Sequence, residues 1–413
     1  MYTPDKTIFV VSELPNDLLF IFDWQFAFSI FVVWGVGVLI LSAVMRKELA
    51  VIVMFVKVLI VALFFCYFFV PEWQVGGDDQ NYFHAAHYIY NLGLDPIRLF
   101  AHSHPWYLFN ADPGRAVFYL SQYIGLYLFG GEYYSAVLFN VLLTTGTVFF
   151  LSKSVVSIGC TRRFSEGLAI FLSLHWSIIT WSSFLIVKEP LVTLLIAGVI
   201  YGVTLRKQRD MVVRLIVGII CLVALMKVRY YLPFLLMLSV FGAFFFSVSK
   251  RIKLTLIAGG LVGAPILMLG VLSNPIAELK YFMGLADFRH SVYEALHFLL
   301  QPLPWRITEP ARFLFVASTL NIVFAPLAIV GAGLMLYNGS RYVWVVLFIL
   351  VGGIVFYSFL PDLASTRHRA PFESLIAILQ FCGLWFLYQL GRVPCRQAIT
   401  TMFPVSIEVR RLQ

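Results

Sequence analysis

Residues able to do chemistry gather in four short stretches of this chain. The first is Gly76-Gly77-Asp78-Asp79-Gln80-Asn81-Tyr82-Phe83-His84, where two carboxylates stand side by side just after a pair of glycines. The glycines permit a sharp turn, and Asp78 is placed to cap the helix that follows. On that helix Asp79, Tyr82, Phe83, Ala86 and Tyr90 share one face, so a carboxylate stands at the lip of an aromatic wall. A carboxylate so placed can act as a base, and its ordinary alternative is to cap and solubilise a helix end.

The second stretch is Lys188-Glu189-Pro190. Pro190 suits the first turn of a helix, and Glu189 suits that helix's positive end. Lys188 either snorkels to an interface or presents an ammonium to a phosphate. The third is Lys227-Val228-Arg229-Tyr230-Tyr231, two cations and two tyrosines that suit a lipid phosphate or, more simply, an interfacial anchor belt.

The fourth lies between Pro361 and Pro371 and holds Asp362, Arg367, His368 and Arg369. Three potential cations in a row make a compact anion site, with His368 as a potential proton donor. One arginine could instead pair with Glu373 or Asp362. Farther back, His290, Glu294 and His297 fall on one helix face, a spacing that suits a metal but more often marks a solvated polar stripe. Five scattered cysteines show no ligand or paired spacing, so no metal set is assigned. Lys57 is a lone cation inside an apolar run, with no role legible beside it.

The elements that position these residues follow from composition. Of the 413 residues 61% are hydrophobic and 12% charged. That charged share is about half of what a soluble domain carries. Apolar runs recur at 24–45, 50–70, 132–152, 165–186, 190–205, 211–227, 230–248, 254–273, 312–337, 342–360 and 372–390. Crossing a hydrocarbon layer takes about 20 such residues, and continuous runs must be helices because lipid satisfies no backbone amide. The expected fold is therefore all-α: a single polytopic membrane domain over 1–413, with about eleven spans and a retained first span.

The run 115–129 is shorter and reads as an interfacial or re-entrant helix. With it off the spanning count, the connections holding Arg46 and Lys47, Arg162 and Arg163, Arg206 to Arg209, Lys250 to Lys253, Arg341 and the tail 391–413 share one side. Lys and Arg concentrate there, which marks the cytoplasm, and the net charge of +9 follows from that bias without invoking nucleic acid. The other side receives two long loops, 71–131 and 274–311, and the turns near Lys188, Arg229 and Arg367. In the second loop, apolar residues from Leu279 to Leu299 recur in a helical rhythm that predicts a surface-lying segment.

An acidic pair in a Gly-rich external loop, an aromatic helix after it and many spans beyond resemble the C-type superfamily of membrane glycosyltransferases. Here the loop follows the second span, as an added N-terminal helix would arrange. Arg367-His368-Arg369-Ala370-Pro371-Phe372-Glu373 is similar to the Arg-x-Arg-x-Pro segment of related sugar transferases and polysaccharide polymerases. The resemblance implies a lipid-linked sugar donor, a polyprenyl phosphate or pyrophosphate, and a glycan or lipid acceptor. It also implies an acid, at Asp78 or Asp79, that serves the acceptor or holds a divalent metal (Mg or Mn). Substrate contacts would then fall to His84, Lys188, Glu189, Arg229, Tyr230, Arg367, His368 and Arg369, in a bacterial inner membrane with the site facing the periplasm or exterior. A transporter or flippase of lipid-linked glycans is the rival expectation.

Overall fold

The computed structural model describes residues 20, 22–69, 78–93, 95–99, 115–204, 210–229, 231–245, 295, 298–300, 302–307, 311–338, 341–358 and 366–392. Among these residues every regular element is helical. In chain order they are α1 (Trp24–Ser42), α2 (Lys47–Leu63), α3 (Asp78–Asn91), the single turn α4 (Pro96–Leu99), α5 (Ala116–Phe129) and α6 (Tyr133–Ser157). Then follow α7 (Arg162–Ser173), α8 (Trp176–Ser183), α9 (Glu189–Val203), α10 (Met211–Met226) and α11 (Leu232–Phe245). The last group is α12 (Phe315–Asn338), α13 (Arg341–Ser358), α14 (Thr366–Arg369), a tight turn Ala370–Phe372 and α15 (Glu373–Leu390).

Among the described residues five helices are long and apolar enough to cross a membrane: Trp24–Ser42, Lys47–Phe68, Tyr133–Ser157, Phe315–Tyr337 and Ala370–Leu390. This is fewer than the eleven expected runs. The apolar helices α5, α9, α10, α11 and α13 meet the same composition but fall short in the length described. The run 254–273 lies outside the described residues, as do His290, Glu294, His297, most of the loop 274–311 and the tail beyond Arg392. Outward faces of α1 and α10 carry exposed Phe28, Phe31, Leu39, Val212, Ile216 and Ile220, a surface compatible with hydrocarbon as its solvent.

Two expectations change. The run 165–186 is not one helix: α7 ends at Ser173, His175 is extended, α8 starts at Trp176, and the chain leaves helix again at Phe184. The sequence there, Ser173-Leu174-His175-Trp176-Ser177, is rich in side chains that hydrogen-bond elsewhere. His175 Nε2 meets Gln380 Oε1 at 2.9 Å, and Trp176 Nε1 donates to Asn321 Oδ1 at 2.8 Å. The irregular backbone after α8 is satisfied by protein, as it must be away from water: Asn140 Nδ2 donates to the Leu185 carbonyl at 3.2 Å, and the Ile186 amide donates to the Tyr133 hydroxyl at 3.3 Å.

Secondly, α5, expected as an interfacial or re-entrant helix, is packed among other helices. Phe118, Tyr123 and Leu126 are buried, and Gln122 Nε2 donates to Asn140 Oδ1 of α6 at 3.2 Å. The helix is wedged between α3 and α6.

Helix α6 is the axis of the assembly, packed by α1, α5, α7, α8 and α9. Its inward face carries Ser135, Asn140, Thr144, Thr145 and Thr147, all buried, as small and weakly polar residues often are between apolar helices. The most extensive pairing is α12 with α15, and it depends on glycine. A side chain at Gly331 or Gly383 would run into the backbone of Leu379 or Leu327 on the opposite helix.

Among the described residues, the basic connections around Arg46 and Arg214 lie at one end of this bundle. Arg46 and Glu166 meet at 3.1 Å, joining the start of α2 to α7, and Arg214 of α10 bonds to Ser157 and to the Thr204 carbonyl. Of the chemistry-bearing stretches, the described residues Asp79, Lys188, Arg229 and Arg369 lie at the other end. There Gln25 Nε2 and Ser29 Oγ donate to the carbonyl of Phe129, tying α1 to the close of α5.

Candidate functional site

Helix α3 forms as the spacing of its apolar residues predicts. Tyr82, Phe83 and Ala86 are buried with Asp79, and Tyr82 stands edge-on to Phe118 of α5 with ring centres 4.9 Å apart. The aromatic wall is therefore closed by α5, and Arg115 covers the Tyr82 ring at 5.5 Å. Asp78 is the first helical residue of α3, not the residue ahead of it. Asp79 lies within electrostatic range of the Tyr133 hydroxyl, which in turn accepts from the Ile186 amide. This links α3 to the segment that ends in Lys188. His84 is half-buried beside Phe83.

Lys188 is the cap residue of α9 and Pro190 falls in its first turn, as expected. Glu189 turns inward. Its Oε1 lies 2.5 Å from Nη2 of Arg229, and the side chains are 1% and 3% exposed. Arg229 Nη1 also donates to the hydroxyls of Tyr231 at 2.9 Å and Tyr357 at 3.4 Å, while those two hydroxyls lie 2.5 Å apart. Burial opposes the Arg229 charge, but Tyr231, Tyr357 and Glu189 outweigh it and hold the proton more firmly than usual. Tyr230 and the side chains of Asp78 and Arg367 lie outside the described residues.

The last turn repeats the device. Arg369 Nε meets Glu373 Oε1 at 2.6 Å, both side chains 2% exposed, and Arg369 Nη1 donates to the Leu299 carbonyl at 2.7 Å. Such charges stay ionised in a dry interior only when paired, so each arginine here is held by its own glutamate. Tyr357 joins the two pairs. Its hydroxyl reaches Arg229, and its ring packs on His368, Phe372 and Phe298 at 5.5, 6.1 and 5.1 Å. No protein family model, curated protein or solved structure matches this chain.

The structure thus brings three of the four stretches into one cluster: Glu189, Arg229 with Tyr231, and His368 with Arg369 and Glu373. Asp79 lies within electrostatic range of Tyr133, which accepts from the amide of Ile186, three residues before Glu189. Sequence reasoning missed Tyr357, which sits in an apolar run with nothing local to single it out. It weighed Glu373 as an arginine's partner, and that pairing holds for Arg369. Among the described residues no three His, Cys, Asp or Glu side chains gather to hold a metal.

Behind the cluster, Lys57 is wholly buried in α2. Its Nζ donates to the hydroxyls of Thr144 and Thr145 at 3.2 and 3.4 Å. A small cavity lies between these residues and the ion pairs, lined by Thr144, Ser177, Trp181, Glu189, Thr193 and Glu373 among others.

Proposed function

We propose that this chain is an integral membrane glycosyltransferase that moves a sugar or glycan from a polyprenyl-phosphate-type donor to an acceptor hydroxyl on the extracytoplasmic face. The observation that carries the reading is the meeting of Glu189, Arg229, Tyr231, His368 and Arg369 in one cluster, at the end of the bundle away from Arg46 and Arg214. Nucleotide sugars are cytoplasmic, so an activated sugar on the far side must arrive on a lipid whose phosphate stays at headgroup depth. Arginine and lysine side chains presented at that depth would suit such a donor.

The buried pairs redistribute the roles. Arg229 and Arg369, each held by a glutamate, frame the site, and the phosphate is assigned to Lys188 and Arg367. In the step itself Asp79 takes the acceptor hydroxyl proton, and the acceptor oxygen bonds to the anomeric carbon. The bond from that carbon to the phosphate oxygen breaks, and the lipid phosphate leaves with its electron pair. Displacement is direct and inverts the anomeric centre. The setting is cell-surface polysaccharide or glycoconjugate synthesis in a bacterial inner membrane, with single-sugar transfer and repeat-unit polymerisation as two forms of one mechanism.

The test is turnover of a polyprenyl-phosphate sugar by purified protein in detergent. A wild-type rate that collapses in Asp79→Asn supports the reading, and equal rates in the two proteins remove Asp79 from it.

A transporter or flippase of lipid-linked glycans is the second reading, and two features favour it: the fully buried Lys57 and the break between α7 and α8. That reading requires no turnover in detergent and movement of lipid-linked glycan only across sealed vesicles.

A further inference from the structure

Three elements far apart in the chain bring their cations together at the end of the bundle that holds Arg46. Arg46 and Lys47 open α2, Arg162 and Arg163 open α7, and Arg392 follows α15, and all of them are exposed. Tertiary contacts set their proximity. Glu166 Oε1 accepts from the Arg46 amide at 2.8 Å and from its Nε at 3.1 Å, which seats the start of α2 on the first turns of α7. On the other flank the buried Phe164 ring meets Phe381 and Trp385 of α15 at 5.1 and 5.5 Å, and a side chain at Gly167 would press on the same two rings. Helix α7 is thus held between α2 and α15.

The charges here are not balanced locally. These ends of the three helices carry five cations, Arg46, Lys47, Arg162, Arg163 and Arg392, against two acids, Glu48 and Glu166, and Glu166 is committed to Arg46. Arg162 and Arg163 make no ion pair among the described residues, and both stand at the positive end of α7, whose first turn holds no acid. Cations so placed cost stability in the isolated protein. A bias of Lys and Arg toward one set of connections accounts for cations on this side of the bundle. It does not account for their convergence from three parts of the chain onto one patch.

Below the cations the surface is apolar. Helix α15 exposes Tyr388 and Leu384, one and two turns before Arg392 on the same face, and the Arg392 guanidinium lies over the Tyr388 ring at 4.2 Å. Tyr388 in turn touches Trp385, the residue that packs on Phe164. Cations above an aromatic and aliphatic strip match the two halves of an amphiphile, an anionic headgroup and its hydrocarbon chains.

We propose that this surface binds an acidic phospholipid of the surrounding membrane, its headgroup among Arg46, Lys47, Arg162, Arg163 and Arg392 and its chains along the exposed face of α15. A headgroup with two phosphates fits best, because five cations less two acids leaves an excess of three. The inference is independent of the sugar chemistry, which is assigned to the other end of the bundle.

The experiment titrates diphosphatidylglycerol, and separately phosphatidylcholine, into the purified full-length protein in detergent, with bound lipid counted by native mass spectrometry and affinity taken from the shift in thermal unfolding. Saturable binding of the two-phosphate lipid is expected, at least about tenfold tighter than that of phosphatidylcholine and weakened by added salt. Arg162→Gln with Arg163→Gln should weaken it about thirtyfold and Arg392→Gln about fivefold, since each cation beside an anionic lipid contributes about fivefold. Without lipid the double variant should unfold no earlier than the wild type, because it removes two cations from the positive end of α7. That separates lost binding from lost folding, and Arg392→Gln serves as an independent variant should α7 fail. Arg98→Gln with Arg306→Gln, which removes two exposed cations elsewhere, should bind as the wild type does. Equal affinity for the two lipids, unchanged affinity in both patch variants, an equal loss in the Arg98 and Arg306 control, or full displacement of the lipid by inorganic phosphate at matching concentration each overturns the proposal.

Discussion

Glu189 and Arg229, 40 residues apart in the chain, form an ion pair at 2.5 Å with both side chains almost wholly buried. The pair ties the start of α9 to the turn between α10 and α11, and Tyr231 and Tyr357 close it off. A pair in so dry a place makes the two residues interdependent. Removing one charge strands the other, whereas removing both leaves only a packing change.

Arg229→Met and Glu189→Leu should therefore each destabilise the protein by about 3–5 kcal/mol, and the two together should cost clearly less than the sum of the single changes. Thermal unfolding in detergent, arranged as a double-mutant cycle, reads this directly. Additive losses would show that the pair does not act as a unit.

Tyr357→Phe keeps the ring that packs on Phe298, His368 and Phe372 and removes the hydroxyl shared with Arg229 and Tyr231. The expected loss is about 1 kcal/mol, the ordinary scale for a hydrogen bond. Tyr357→Ala should lose about 3–5 kcal/mol, because a buried aromatic ring goes with it. Comparing the two unfolding midpoints separates hydroxyl from ring, and equal losses would discount the ring contacts.

Asp79→Asn should leave the protein folded and inserted, since amide and carboxylate have the same shape. Sugar transfer should drop about a hundredfold to ten-thousandfold, the usual contribution of a general base. Rate measurements alongside gel-filtration profiles of both proteins check the two halves of this statement.

In a background freed of native cysteines, single cysteines at Asn81, which is exposed, and at Lys188 should react with an impermeant thiol reagent from the same side of sealed vesicles. A cysteine at Arg46 should react from the other. Labelling of positions 81 and 188 from opposite sides would break up the proposed site.

Gly383→Val should separate α12 from α15, because the added carbons meet the Leu327 backbone, which cannot rotate away. Overpacking of this kind costs about 1–3 kcal/mol or more. A lowered unfolding midpoint, with Gly333→Ala in open space as the control, is the measurement.

The sequence by itself determined the class of structure. Continuous apolar runs in a chain with few charges admit only helices that shed water, and the bias of Lys and Arg sorted the connections into two sets. It also marked Asp79, Glu189, Arg229 and Arg369, because a charge beside an apolar run is conspicuous.

Tertiary structure alone decided what those charges meet. Whether a cation faces a ligand or a carboxylate depends on contacts across 40 residues for Arg229 and on the turn of a helix for Arg369. Tyr357 and Lys57 illustrate the same limit. Each sits within an apolar helix, and only packing against α6, α11 or the last turn gives it polar neighbours. The break at His175 was hidden as well, since hydropathy measures how readily a segment leaves water. It does not record whether a neighbouring helix offers Gln380 and Asn321 to partners that pull the segment apart.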